Sequence, residues 1–257
     1  MVMISFFQEM SDRNFPLFCF GLACLVAALL CMLAATRSQV QVAGVNAWLK
    51  PIKFFLSSAI FAHTMAWLLV YLQAPGKVAI YSWVVIIVLA FETIYITLQA
   101  ARGQLSHFNV SSAFHGFMYS MMGMAIFTMT IWTAYISYLF FCTDLPLFPL
   151  PYLWGIRLGI ALFVIFALEG GVMASRLSHT VGAPDGTPGL PVTKWSKTHG
   201  DLRVAHFLGM HALQVLPLLS YYVFDSVAAV ITTGVIYFVV TSGLFIRAMQ
   251  SRPLWRS

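Results

Sequence analysis

Apolar residues in this chain gather into seven runs of about twenty, at roughly 16–36, 53–72, 79–101, 116–141, 152–175, 202–223 and 226–248. A run of about 20 apolar residues is the length that crosses a bilayer as a helix. Inside lipid each such helix must satisfy its own backbone hydrogen bonds. That constraint decides the fold class: all-α, a polytopic membrane bundle of about seven transmembrane helices. Only 9% of the 257 residues are charged and 60% are hydrophobic, whereas soluble domains carry about 25% charged residues. The expected organisation is a single transmembrane helical bundle over 1–257, with no separate soluble domain. The first run is too long, and its start too weakly basic, for a signal peptide. It is read as a transmembrane helix.

Turn-forming residues divide the runs. They are Gln73-Ala74-Pro75-Gly76-Lys77, Asp144-Leu145-Pro146-Leu147-Phe148-Pro149, and the Gly182-Ala183-Pro184-Asp185-Gly186-Thr187-Pro188-Gly189 segment, which lies in the longest loop, about 176–201. One set of span ends holds Arg37, Lys50, Lys53, Arg102, Arg176, Lys194, Lys197, Arg203, Arg247, Arg252 and Arg256. The other holds only Arg13 and Lys77, with Arg157 just inside span five. The positive-inside rule then expects an outside N-terminus and a cytoplasmic C-terminus in the plasma (inner) membrane. The net charge of +6 reports this topology, and no nucleic-acid partner is expected. Cys19, Cys24 and Cys31 sit in the first run and Cys142 in a loop. This is neither a metal-binding spacing nor a disulfide framework.

Ionisable residues interrupt the apolar runs at four places. His63, Glu92, Glu169 and His211 each fall about seven to ten residues, or roughly 10–15 Å, from the expected cytoplasmic end of their helix. Ionisable groups at that depth are costly and mark functional sites. In span three, Glu92, Tyr95, Gln99 and Arg102 recur at helical steps and share one face. In span six, Arg203, Met210 and Gln214 lie close to one line, with His206 on one side and His211 on the other. Being five apart rather than four, the two histidines are expected to serve different partners. Asp201 is expected as the N-cap or first-turn acid of that span. Glu169 precedes Gly170-Gly171, which invite a close helix neighbour; its candidate partners are His63, His206, His211 and Arg203. Met118, Met121, Met122, Met124 and Met129 are read as core filler. Span three with Leu105-Ser106-His107, and span five with Leu177-Ser178-His179, form a weak internal echo.

Three functions fit these residues. The first is a metal- or haem-binding membrane enzyme or redox protein. His63 and His211 would hold the cofactor, haem b or a transition metal (iron or zinc). Glu92 and Glu169 would complete a mixed His/carboxylate metal site. Glu92, Glu169 and His206 are its candidate catalytic groups. Lys50, Lys53, Gln99, Arg102, His107, His179, Arg203 and Gln214 would line a mouth for an anionic or lipid substrate. The second is a proton-coupled transporter of a small anionic solute, in which buried Glu and His relay protons. Against it stand the lack of a clear inverted repeat and of a Pro/Gly-broken helix pair. The third is a sensor or assembly subunit whose polar layer is structural. Beyond the lipid bilayer, a second copy or a partner membrane subunit is a candidate partner. Span seven has no lysine for a retinal Schiff base, the Ser-x3-His and His-x3-His pattern of the ceramidase and progestin-receptor family is missing, and so are the histidine boxes of membrane desaturases.

Overall fold

The computed structural model describes residues 2–143 and 148–255, with side chains from Phe6 onward. Asp144-Leu145-Pro146-Leu147 of the expected turn and Arg256 of the basic tail lie outside the described residues. Among the described residues, seven helices are long and apolar enough to cross a membrane: Phe15–Arg37, Leu49–Leu72, Pro75–Ala101, Ala113–Cys142, Leu150–Arg176, Arg203–Tyr222 and Val227–Met249. Each coincides with one apolar run. The protein is therefore an integral, multi-pass membrane protein. Its chain divides into two compact units, residues 1–129 and 130–257.

The first unit opens with α1 (Val2–Arg13) and α2 (Phe15–Arg37). Asn14 parts them and caps the second, its Oδ1 accepting from Leu17 N at 3.1 Å while its Nδ2 donates to Ser82 Oγ at 2.9 Å. A short hairpin of β1 (Gln41–Val42) and β2 (Val45–Asn46) follows, turning at Ala43 and Gly44, both with positive φ. Next come α3 (Leu49–Leu68), a 3-10 turn (Leu69–Leu72) and α4 (Pro75–Ala101). The expected turn at 73–77 is shorter than its composition suggests. Gln73 alone takes the left-handed conformation, and Pro75 already opens α4, where its fixed φ and missing N–H cost nothing. α5 (Ala113–Cys142) begins in this unit and ends in the next. Met122 is buried with Tyr95 and Ile96, and Met118 packs against them, as core filler should; Met124, 58% exposed, is not part of the core.

In the second unit, α6 (Leu150–Ala167) and α7 (Gly170–Arg176) make up the fifth span. They are not continuous: Leu168 and Glu169 form a turn between them. Gly170-Gly171 after the turn hold a helix poorly. The Phe166 carbonyl, which a continuous helix would use four residues on, instead accepts from His206 Nδ1 at 2.7 Å. α8 (Arg203–Tyr222) packs tightly on α6. A Cβ at Gly155 or Gly159 would come to 2.9 Å of Leu216 O or 3.0 Å of Ala212 O, and one at Gly209 would overlap the Phe166 ring. These small residues let the two backbones approach. α9 (Val227–Met249) is tied to α8 by Tyr237 Oη donating to Leu208 O. The long loop is not structureless. β3 (Thr180–Val181) pairs antiparallel with β4 (Gly200–Asp201), and Gly189 bridges to Ser196.

Candidate functional site: two buried carboxylates

Glu92 lies on α4, only 2% exposed. Its Oε2 stands 3.9 Å from His107 Nε2, and its Oε1 is buried without a hydrogen-bond partner. His107 comes from the loop between α4 and α5, where Ser106 Oγ lies 3.2 Å from its Nδ1. The stripe expected on this helix is real for three of its four members. Glu92, Tyr95 and Gln99 are buried; Arg102, at the helix's end, is exposed. Gln99 is fully buried. Its Nε2 donates to Leu105 O at 3.1 Å and approaches His115 Nδ1 at 3.4 Å. Tyr95 Oη also reaches His115 Nδ1, at 3.4 Å. An amide N–H only donates, so His115 Nδ1 is an acceptor and its proton sits on Nε2. Gln99 Oε1 and Tyr119 Oη are buried without a partner. The ring of Tyr119 lies 6.4 Å from that of His107, and Phe54 of α3 lies 5.5 Å from it on centroids.

Sequence reasoning missed His115, Tyr119 and Phe54. His115 and Tyr119 are four apart on α5 and share a face, the one signal that could have found them. Lys50 and Lys53 lie in the first two turns of α3. Lys50 is half-buried, its Nζ 5.9 Å from the Phe54 ring centre and its charge within reach of Glu92. Lys53 is exposed.

His63 belongs elsewhere in the same unit. Its Nε2 is 3.3 Å from Phe18 O, and Gly21 of α2 presses on its ring. A carbonyl only accepts, so Nε2 carries the proton and donates. This corrects the expectation of a common depth. Asn14 marks the level of Ser82, and Phe18 is one turn further along α2. Glu92 is ten residues beyond Ser82. His63 therefore stands roughly 9 Å closer to the Pro75 end than Glu92 does. Counting from uncertain helix ends hid that offset.

The second unit has its own carboxylate. Glu169 sits in the turn between α6 and α7, 7% exposed, with neither carboxylate oxygen hydrogen-bonded. A Cβ on the next residue, Gly170, would lie 3.6 Å from His206 Cε1, so His206 is the histidine beside the break. Because Phe166 O accepts from its Nδ1, His206 is the Nδ1–H tautomer and keeps a lone pair on Nε2. His211 takes a different partner, as the spacing of five predicts. Its Nδ1 lies 3.0 Å from Gln214 Oε1, and its ring meets that of the exposed Phe207 at 4.3 Å. Five residues on, it stands about 140° round α8 from His206.

Arg203 and His179, expected at the substrate mouth, are both engaged. Arg203 grips the buried Asp201 carboxylate at 2.6 Å and donates to Lys194 O at 2.7 Å. Asp201 is part of β4 rather than the N-cap, which is Leu202. It still accepts from Arg203 N at 3.1 Å. His179 is bound at 2.9 Å to Asp185, which also accepts from the backbone N–H groups of His179 and Thr180. Partial burial opposes ionisation of Asp185, but these donors outweigh it and hold its carboxyl well below the ordinary range.

All five buried side-chain oxygens without a partner among the described residues belong to Glu92, Gln99, Tyr119 and Glu169. Among the described residues, no three His, Cys, Asp or Glu side chains are placed to hold one metal ion. No protein-family model matches the chain, and no curated protein or solved structure is significantly similar to it.

Proposed function

We propose that this protein is a proton-coupled carrier of a small solute, with Glu92 and His107 as the proton-bearing pair. One observation carries the reading. Glu92 is almost wholly buried, one oxygen lies 3.9 Å from His107, and the other has no partner. A purely structural polar cluster is normally hydrogen-bonded throughout. Here Gln99 and Tyr119 also keep unused groups. A carboxylate held in that condition is suited to exchanging a proton with a nearby imidazole. The carrier lies in the plasma (inner) membrane with its N-terminus outside, and Lys53 and Arg102 stand at the cytoplasmic ends of α3 and α4.

The test is proton movement in proteoliposomes with an entrapped pH-sensitive dye. Small organic anions, ammonium compounds and zwitterions are added in turn. At least one is expected to drive proton movement that Glu92→Gln abolishes. Failure of every solute to move protons, or equal movement in the variant, would overturn the reading.

A second reading, a metal- or haem-binding enzyme, is favoured by His206. Its Nδ1–H is fixed by a backbone carbonyl, the arrangement that orients a ligating imidazole through Nε2. His206 would then take the ligand role, with Glu169, that the sequence suggests for His63 and His211. A visible spectrum and metal analysis of the purified protein decide it: a Soret band, or stoichiometric iron or zinc lost in His206→Ala, supports this enzyme.

A further inference from the structure

We infer that the group held beside Glu92 is a small organic ammonium. The inference rests on the reading of this region as a solute site and names the solute's chemistry. The first argument is the balance of donors and acceptors. The unused groups beside His107 are Glu92 Oε1, an acceptor, and Tyr119 Oη, which serves either way. A ligand that brings N–H donors or positive charge completes the site. An anion leaves Glu92 Oε1 unsatisfied and meets the carboxylate charge.

The second argument is the wall. Phe54, His107, Phe108 and Tyr119 adjoin one another, with centroid separations of 5.5 Å for Phe54–His107 and 5.7 Å for Phe108–Tyr119. Aromatic faces beside a carboxylate attract alkylated ammonium groups, whose charge is spread over carbon and weakly hydrated. The chain already illustrates this: the Lys50 ammonium lies 5.9 Å from the Phe54 ring centre and within electrostatic reach of Glu92. Lys50 thus acts as an intramolecular competitor at the rim. An external ammonium binds more tightly when that competitor is removed.

The same chemistry could reach the site from a dissolved amine or from a choline lipid headgroup, and the experiment separates them. The purified full-length protein in non-ionic detergent is titrated calorimetrically with tetramethylammonium, methylammonium and acetate. Saturable binding of at least one ammonium is expected, and none of acetate. Glu92→Gln should weaken it at least tenfold, and Lys50→Met should tighten it several-fold. If Glu92→Gln does not fold, Lys50→Met decides alone, and no tightening overturns the inference. Binding of acetate in preference to both ammonium probes overturns it as well. In nanodiscs, a lipid source predicts that phosphatidylcholine suppresses tetramethylammonium binding relative to phosphatidylglycerol; a dissolved source predicts equal binding in both. Proton movement that depends on Glu92, without ammonium binding, leaves the carrier standing and removes this ligand class. Ammonium binding without proton movement does the reverse.

Discussion

The chain buries two glutamates in two different ways. Glu92 lies in an unbroken helix and meets a histidine delivered by a loop. Glu169 lies in the turn of a broken helix, and the histidine beside it has its Nδ1–H on the Phe166 carbonyl. Around Glu92 the neighbours keep unused hydrogen-bonding groups; around Glu169 only the carboxylate itself does. The difference separates a place where a solute could complete the network from a place where the backbone has already been opened. In the first the helix is intact and the polar side chains are incomplete. In the second the chain has spent a helical hydrogen bond to admit an imidazole.

The largest expected effect tests whether that division is functional. Glu92→Gln should reduce solute-coupled proton movement by about 100-fold or more, the scale of losing a proton-transferring group. Glu169→Gln should reduce it less. Matched losses in the proteoliposome assay would erase the distinction and make both glutamates part of one relay.

The next effect concerns stability and belongs to the second unit alone. Gly209→Leu places a side chain where Phe166 already lies and should destabilise the α6–α8 pair by about 1–3 kcal/mol, the usual penalty of overpacking. Gly116→Ala, whose Cβ meets nothing within 4 Å, should leave thermal unfolding in detergent nearly unchanged. Similar melting shifts for both would show that the close approach of α6 and α8 is not what holds the broken span in place.

Much of this was legible in the sequence because bilayer length and hydropathy are one-dimensional. All seven spans and the buried Glu92–Tyr95–Gln99 face follow from helical spacing, as do the separate partners of His206 and His211. The break at Leu168–Glu169 was missed because Gly170-Gly171 reads equally as a packing surface. Only the His206–Phe166 contact, forty residues apart, shows where the helical bond has gone. The Gly155/Gly159 spacing on α6 is the sequence's sign of the close approach of α6 and α8. His107 reads as part of a substrate mouth because a loop residue's direction is not encoded in its spacing, and it turns back to Glu92 instead. His63 was placed with Glu92 because helix ends were uncertain by several residues, enough to hide an offset of roughly 9 Å. Arg203 reads as a rim charge, but Asp201 only two residues away takes it up.

A smaller effect compares the two histidines that bond backbone carbonyls. His206→Ala removes the donor to Phe166 O, and His63→Ala removes the one to Phe18 O. Interhelical hydrogen bonds in membranes average about 0.6 kcal/mol, so each should cost about 0.5–1 kcal/mol in denaturant unfolding. His206→Ala should cost more, since the Phe166 carbonyl lies at a break and has lost its helical donor. Equal costs would mean that the break supplies Phe166 O with another partner.

The smallest effect lies in the echo between the two Leu-Ser-His segments. His107 follows a span and returns to that span's glutamate; His179 follows a span and binds a loop aspartate instead. The second arrangement makes a local pH prediction. Asp185 has its carboxyl pKa depressed in the folded chain, against the pull of partial burial, by donors from His179 and Thr180. A depressed carboxyl stabilises above its unfolded value, about 3.9, and that stabilisation is lost as pH falls through the folded value. The backbone N–H groups of His179 and Thr180 should therefore keep their hydrogen-exchange protection from neutral pH down to about 4 and lose it progressively below. Asp185→Asn should flatten that dependence and lower protection at every pH. The change should stay within the loop and leave proton movement alone, because Asp185 is partly exposed and its interactions are screened by solvent. Unaltered protection in Asp185→Asn would show that β3 and β4 order the loop without the aspartate. The two Leu-Ser-His segments would then differ only in which carboxylate lies nearest.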